Sequence, residues 1–216
     1  MAKTPLSDAI QDYLKGIYEL SGDGRGSVPI TALARRLDVS AASASGMVKK
    51  LAALHLAKHA PYRGVTLTPA GERVALEVLR HHRLLEVYLA ETLGIAIDAV
   101  HAEADRLEHV LSEELEARID QALGYPTHDP HGHPIPDAEL QIAEAEHLRS
   151  LATLEPGDQA TVLRVPDDDE LLPRLAALGL LPGRQVEVRS VEPLTVDVDG
   201  SQQIVPPDLA EAIGIR

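Results

Sequence analysis

The spacing of hydrophobic residues predicts a helical N-terminal part. In residues 6–20, LSDAIQDYLKGIYEL, apolar side chains recur every three or four positions, which is typical of an amphipathic helix, and Gly22, Gly24 and Gly26 end it. Two short helices are predicted next, at residues 31–37 and 41–54, joined by a tight turn in which Ser40 caps the second helix. Together they predict a helix-turn-helix, whose second helix enters the major groove of DNA.

Beyond these helices the pattern changes to alternation. Residues 56–71 alternate as in a short β-hairpin, with its turn at residues 61–64 and Arg63 at the tip, which is the arrangement of a wing. Helical periodicity then returns in residues 69–93 and 98–123, which Gly94 separates. Apolar positions on these two long helices are candidates for a dimer interface, and residues 137–150 are predicted to form a short acidic helix.

From residue 154 onward, short alternating segments separated by glycine or proline turns predict strands around one helix at residues 171–178. This pattern is typical of a small SH3-like β-barrel. The predicted fold class is therefore mainly α with small β parts. The expected domains are a winged helix-turn-helix at residues 1–73, a helical domain at residues 74–150 and an SH3-like domain at residues 151–216.

Composition narrows the possible functions. The chain has 216 residues with five tyrosines and no Trp or Phe, so its cores must be built from aliphatic side chains. It has no cysteine, which excludes disulfides, thiolate metal ligands and cysteine nucleophiles. Because no apolar run approaches the length of a membrane span, we expect a cytoplasmic protein without a membrane partner.

Charge is divided unevenly along the chain. The net charge is −14, but residues 1–75 carry ten Lys/Arg and six Asp/Glu, a balance of +4, and the remainder carries −18. This division favours a DNA-binding head on an acidic body over an ordinary helical domain with a solvated basic face. The candidate DNA contacts are Arg35, Arg36, Ser40, Ser43, Ser45, Lys49, Lys50 and Arg63. Among them, the lysines and arginines suit phosphates, and Ser43 and Ser45 suit base edges.

Histidines and carboxylates recur at helical spacing in the two long helices, as metal ligands on one helix face do. The residues concerned are His101, Asp105, Glu108 and His109 on one helix and His82 and Glu86 on the other, with Asp12 as a further acid near the N-terminus. A single pair of this kind is usually an ordinary surface pair. The concentration of seven such residues favours metal binding.

Two other stretches have a simpler interpretation beside the metal one. In residues 125–136, YPTHDPHGHPIP, the three residues His128, His131 and His133 suggest a metal clip, but the prolines favour a rigid crossing segment. The acidic run at residues 167–170 precedes a predicted helix, where acids are commonly found, and it could also supply a ligand.

The order of these parts resembles the diphtheria toxin repressor family of metal-dependent transcriptional regulators. The segments that carry the resemblance are DYLKGIYEL, HHRLLEVYL, VHAEADRLEHVLSEELE and GHPIP, and together with the domain order they extend over essentially the whole chain. The resemblance implies a dimeric, metal-activated repressor that binds double-stranded operator DNA. It also implies that residues 74–150 bind metal and dimerise, and that the SH3-like domain is of the FeoA type.

The resemblance further implies two metal centres. The first would use Asp12, Asp105, Glu108 and His109, and the second His82, Glu86 and His101, with Asp168 from the SH3-like domain. Iron-type members carry Met and Cys where Asp12 and Asp105 stand, so the two acids indicate the manganese branch, consistent with the preference of Mn²⁺ for oxygen ligands. Lys15 departs from the pattern, because some manganese regulators have a bridging Glu there.

The sequence thus predicts a manganese-dependent repressor of metal-homeostasis genes, such as those for manganese uptake transporters. Its cofactor would be Mn²⁺, with Fe²⁺ possible and other divalent transition metals able to substitute in vitro. We expect no catalytic activity and no small-molecule substrate. The alternatives are an iron-dependent regulator of the same family, a metal-dependent hydrolase and a module in which metal only stabilises the fold.

Overall fold

The chain folds into two compact units. The computed structural model describes residues 6–22, 26–60, 63–142 and 147–216. The first unit consists of Met1–His81, Glu108–Leu111 and Pro136–Gln141. The second consists of His82–Leu107, Ser112–Ile135 and Ile142–Arg216. Because Glu108–Leu111 belongs to the first unit, the helical region is shared between the two.

The first unit begins with the predicted winged helix-turn-helix, which the structure confirms. Its elements are α1 (Asp8–Ser21), α2 (Ile30–Arg36), α3 (Ala41–Ala53) and the antiparallel hairpin of β1 (Ala57–Ala60) and β2 (Gly64–Leu67). Ser40 caps α3, since its Oγ accepts the backbone N–H of Ser43 at 3.1 Å. Of the predicted hairpin turn, Pro61 and Tyr62 lie outside the described residues.

Aliphatic side chains from all these elements form the core of the first unit. Leu14, Ile17, Leu33, Leu51 and Val65 are fully buried in one cluster. The apolar side chains of α1 therefore pack into this core from one face of the helix. Asp12 lies on another face and is partly exposed.

The helical region is more broken than its periodicity predicts. It contains α4 (Pro69–Val87), a π-helical turn (Tyr88–Thr92), α5 (Ile97–Leu107) and α6 (Glu113–Ala122). The expectation of one helix over residues 98–123 was wrong, because Ser112 caps a new helix by accepting the N–H of Leu115. None of the helices in the described ranges has both the length and the apolarity needed to span a membrane.

The acidic helix predicted at residues 137–150 is also wrong for its described residues. The carboxylate of Asp137 accepts the backbone N–H groups of Glu139 and Gln141, and Leu140 has a positive φ of 59°. An aspartate that bonds to the following backbone in this way competes with helix formation. This segment therefore forms a turn.

The second unit contains a six-stranded antiparallel sheet in the order β3-β8-β4-β5-β6-β7. Its strands are β3 (Arg149–Ser150), β4 (Gln159–Arg164), β5 (Gln185–Val191), β6 (Leu194–Val198), β7 (Ser201–Ile204) and β8 (Gly214–Ile215), with helices α7 (Leu171–Ala177) and α8 (Pro207–Ala212). The SH3-like fold is confirmed, but the sheet is open, with β3 and β7 at its edges, rather than a closed barrel. Its aliphatic core includes Val162, Leu175 and Val196.

Candidate metal centres

The first candidate centre lies within the first unit and joins α1 to the turn that follows α5. Asp12 comes from α1, and Glu108 and His109 come directly after α5 ends. His109 Nε2 lies 2.8 Å from Asp12 Oδ1 and 3.6 Å from Glu108 Oε1. One ligand atom from each residue lies within 4.8 Å of the others, which is close enough for one ion to bind all three.

Two neighbouring side chains orient this centre. The Nδ1 of His109 lies 3.0 Å from the Oε1 of Gln11 and donates to it, because an amide oxygen only accepts, and the other ring nitrogen, Nε2, faces the carboxylates. His81 Nδ1 lies 3.1 Å from the backbone oxygen of Glu108 and donates to it. Sequence reasoning missed Gln11, although it lies next to Asp12.

Charge in the first centre is partly balanced by a buried lysine. Lys15 Nζ lies 2.7 and 2.8 Å from the two carboxylate oxygens of Glu108. Burial raises the pKa of Asp12, and the nearby charge of Glu108 raises it further, which outweighs the opposite effects of His109 and Lys15. Asp12 therefore holds its proton more tightly than a free aspartate, and bringing in a cation would remove that cost.

The second candidate centre lies within the second unit. His82 and Glu86 come from α4, His101 from α5 and Asp167 from the segment between β4 and α7. His101 Nδ1 is 2.7 Å from Asp167 Oδ2 and 3.5 Å from Glu86 Oε1, and His82 Nε2 is 3.0 Å from Glu86 Oε1. All four offer a ligand atom within 4.8 Å of the others.

Asp105 also belongs to the second unit, where its carboxylate reaches the outer ring nitrogens of both histidines. Its oxygens lie 3.2 Å from His82 Nδ1 and 3.4 Å from His101 Nε2, and its side chain is 47% exposed. In this position it can orient both rings as a carboxylate partner of metal-bound histidines does. Its assignment to the first centre stays a prediction.

His131 joins the second centre from the proline-rich loop. It is fully buried, and its Nδ1 lies 3.5 Å from Glu86 Oε2. Both of these atoms are buried without a hydrogen-bond partner. A buried carboxylate oxygen and a buried ring nitrogen that face each other without a hydrogen bond are costly unless a cation lies between them, so the donor set fits a proton or a divalent metal ion.

Asp168, which the sequence analysis placed in this centre, faces elsewhere. Its Oδ1 accepts the backbone N–H groups of Glu170 and Leu171 at 2.9 Å each and so caps the start of α7. The acid that lies beside His101 is therefore Asp167, one position earlier in the same acidic run, and not Asp168. Nothing in the sequence pattern distinguishes the two acids, because both precede the helix.

The charges of the second centre depend strongly on one another. Burial alone would raise the pKa of Glu86, but His101, His131 and His82 hold it well below its ordinary value. Burial would lower the pKa of His101, but Asp167 and Glu86 raise it to about 10. Protons on the histidines thus provide the positive charge that the buried carboxylates require, and a metal ion would replace them.

The rest of the proline-rich loop is organised by hydrogen bonds rather than as a histidine clip. Asp129 Oδ1 accepts the backbone N–H groups of His131 and His133, and its Oδ2 lies 3.5 Å from Arg83 Nε. His128 is exposed and bonds to Thr127. A cation at Asp129 would compete with Arg83, so the rigid-segment interpretation fits these contacts better than the clip.

The predicted DNA contacts lie on α2, α3 and the hairpin. All of them are exposed except Ser45, which is half-buried: Arg35, Arg36, Ser40, Ser43, Lys49, Lys50 and Arg63. Arg36 forms a surface ion pair with Glu19 at 3.1 Å. A basic, exposed face on the second helix of a helix-turn-helix is suited to contacts with phosphates and bases.

Three family models match nearly the whole chain. Residues 5–65 match the N-terminal DNA-binding domain of iron-dependent repressors, and residues 68–137 match the metal-binding and dimerisation domain of the same proteins. Residues 149–216 match the FeoA domain.

Individual proteins are similar over their full length. The iron-dependent repressor IdeR of Mycobacterium tuberculosis is 33% identical, with 98% of each chain covered. A solved structure described as a manganese-dependent transcriptional repressor in complex with manganese is 38% identical with a TM-score of 0.83, covering 95% of this chain and 98% of that one. The manganese regulator SloR is 32% identical with a TM-score of 0.76, and 99% of each chain is covered.

Proposed function

This chain belongs to the diphtheria toxin repressor family of metal-dependent transcriptional regulators, and from this premise we propose that it is a repressor of metal-homeostasis genes activated by Mn²⁺. The observation that carries the proposal is the first centre, in which two carboxylates and one imidazole meet beside the winged helix-turn-helix. Oxygen-rich sites of this kind suit Mn²⁺, and the chain offers no sulfur ligand from cysteine.

The proposed mechanism follows from the elements that supply the ligands. Asp12 belongs to the first helix of the DNA-binding part, whereas Glu108 and His109 directly follow a helix of the dimerisation region. Asp12, Glu108 and His109 would hold a divalent ion, whose positive charge would neutralise the two carboxylates and link these segments. The fixed distance between the two recognition helices of a dimer then matches two DNA half-sites.

Metal and DNA should consequently reinforce each other's binding. If metal favours the arrangement that fits the operator, DNA must favour metal binding by the same factor, with a coupling of about 1–3 kcal/mol in typical cases. Lys49, Lys50, Arg35, Arg36 and Arg63 would contact phosphates, and Ser43 and Ser45 would contact base edges.

The second centre supports an iron-dependent alternative. His82, His101 and His131 give it more nitrogen donors than the first centre has, and imidazole suits iron as well as zinc and copper. We assign this centre a supporting role that strengthens activation. Measuring operator binding at buffered free concentrations of Mn²⁺, Fe²⁺, Co²⁺ and Zn²⁺ separates the alternatives, because the physiological activator should act at its free cellular concentration.

The proposed function is tested by removing ligands of the first centre. We expect His109→Ala and Asp12→Asn to abolish Mn²⁺-stimulated binding to operator fragments selected from genomic DNA by the wild-type protein, because the ion loses a ligand. Fluorescence anisotropy measures the binding, and size-exclusion chromatography should show an intact dimer. His147→Ala changes an exposed histidine outside both centres and serves as the control.

Retention of the full Mn²⁺ response by both variants would contradict the proposal.

The proposal also includes a cytoplasmic location and the absence of a catalytic reaction. Turnover of phosphate or carboxylic esters by the Mn²⁺-loaded wild type, lost in His109→Ala, would instead support the hydrolase.

A further inference from the structure

Lys15 occupies a position where a cation directly opposes metal binding. It lies on α1, three residues after Asp12, and its side chain is 8% exposed. Its ammonium group contacts both oxygens of Glu108, whose side chain is 1% exposed. A buried contact of this kind is shielded little by solvent or salt, so its charge acts strongly on everything in the centre.

Both a lysine and a metal ion require the same carboxylate. A divalent ion at the first centre needs at least one oxygen of Glu108, but each oxygen already accepts from Lys15 at a charge-assisted distance of 2.7 or 2.8 Å. The two cations would also repel each other, since both lie beside Glu108. Metal binding must therefore displace the ammonium group or bear its repulsion.

The local charge balance leads to the same conclusion. With neutral His109, the charges of Asp12, Glu108 and Lys15 sum to −1, whereas without the lysine the site would carry −2. A divalent ion is attracted less to the first arrangement than to the second. Lys15 thus already balances part of the negative charge of the carboxylates before a metal ion binds.

We propose that Lys15 is an internal competitor of the activating metal for Glu108, and that it raises the metal concentration at which the first centre fills. This inference rests on the proposed function, because it assumes that the first centre binds the activating ion. It adds that the threshold of the response is set within the protein, by the strength of one buried ion pair. When metal is scarce, Lys15 balances the negative charge of Glu108 in an ion pair. When metal is abundant, the ion displaces the ammonium group from that carboxylate.

The experiment compares Mn²⁺ binding by full-length variants in the absence of DNA. Free Mn²⁺ is measured by electron paramagnetic resonance during titration of the wild type and of Lys15→Met, Lys15→Gln and Lys15→Arg. The binding phase that Asp12→Asn removes is assigned to the first centre. Lys58→Met, which removes an exposed lysine of β1, controls for the change in net charge.

We expect Lys15→Met and Lys15→Gln to lower the dissociation constant of that phase by about tenfold or more, because the competing cation is gone. Lys15→Arg keeps the charge and should stay within about threefold of the wild type, as should Lys58→Met. Circular dichroism shows which variants are folded. Tightening in either neutral variant that folds supports the proposal.

Several results would overturn it. If none of the folded neutral variants binds Mn²⁺ more tightly than the wild type, Lys15 does not compete with the metal. If neither neutral variant folds, the lysine is a requirement of the fold rather than a competitor. If Asp12→Asn removes no binding phase at all, the assignment of the first centre fails, which is a failure of the proposed function and is recognised separately.

Discussion

His101 shows how a single residue couples protons to metal binding. Its Nδ1 lies 2.7 Å from Asp167 and 3.5 Å from Glu86, and these carboxylates raise its pKa to about 10. At neutral pH, His101 is therefore protonated in the metal-free protein. A metal ion that uses the same nitrogen must displace this proton, so metal binding releases protons and strengthens as the pH rises.

The raised pKa of His101 predicts a pH dependence of the metal-free protein. A group whose folded-state pKa is raised contributes stability below its unfolded pKa and loses it as the pH rises through the folded value. Stability from this group should therefore be complete below about 6.5 and decline toward about 10. We expect the Tm of chelator-treated protein, followed by circular dichroism, to fall over this interval.

His101→Gln is the matched variant for this measurement, because it keeps a polar side chain but cannot be protonated. Its Tm should be lower than that of the wild type at neutral pH and should change less between neutral and alkaline pH. A wild-type Tm that is independent of pH across the interval would show that the carboxylates do not hold a proton on His101.

At the scale of elements, loops and the ends of helices position the ligands of the two centres. Glu108 and His109 lie beyond the end of α5, where the chain turns before Ser112 caps α6. In the second unit, the proline-rich loop lies against β4, because Val165 N–H donates to the backbone oxygen of His131 at 2.9 Å. The ligands of both centres therefore depend on connections as much as on helices.

Gly132 is the residue that permits this loop to approach β4. Its φ is +87°, and a Cβ at this position would lie 1.9 Å from the backbone oxygen of Leu163. We expect Gly132→Ala to destabilise the protein and to weaken metal binding at the second centre, because the neighbouring His131 would be displaced. Urea unfolding and Mn²⁺ titration measure the two effects.

Gly157→Ala is the matched control, since Gly157 has a φ of +93° but open space around its Cβ position. The control should lose roughly 1–2 kcal/mol from backbone strain alone. We expect Gly132→Ala to lose about 2 kcal/mol more than the control. Equal losses in the two variants would show that the loop can move away from β4 without cost.

At the scale of the whole molecule, two aliphatic cores support the fold independently of the metal centres. One core contains Leu14 and Leu33 in the first unit, and the other contains Leu175 and Val196 in the second. None of the proposed metal ligands belongs to either cluster. The burial of these side chains from water should therefore keep both units folded without metal.

Removal of metal should consequently abolish DNA binding but preserve the fold. After dialysis against a chelator, we expect an unchanged far-ultraviolet circular dichroism spectrum and a loss of operator binding that added Mn²⁺ restores. Each centre should contribute only about 2.7 kcal/mol of stability at a free metal concentration about 100 times its Kd. Unfolding of the protein on chelation would indicate a purely structural metal instead.

The winged helix-turn-helix could be predicted from the sequence because its signals are local. Apolar spacing in α1, the cap at Ser40 and the alternation of the hairpin all depend on neighbouring residues. The break after Leu107 was missed because apolar residues continue at helical spacing across it, at Val110, Leu111 and Leu115. In that case the capping bond of Ser112 prevailed over periodicity.

The sequence by itself determined the order of the domains, the basic head on an acidic body and the residue types that suit a divalent metal. These are properties of composition and short-range spacing, which the chain carries whatever its tertiary structure. Only the tertiary structure decided that Asp167 rather than Asp168 faces His101, that His131 reaches Glu86 and that Lys15 holds Glu108. These pairs join residues far apart in the chain, so local spacing carries no record of them.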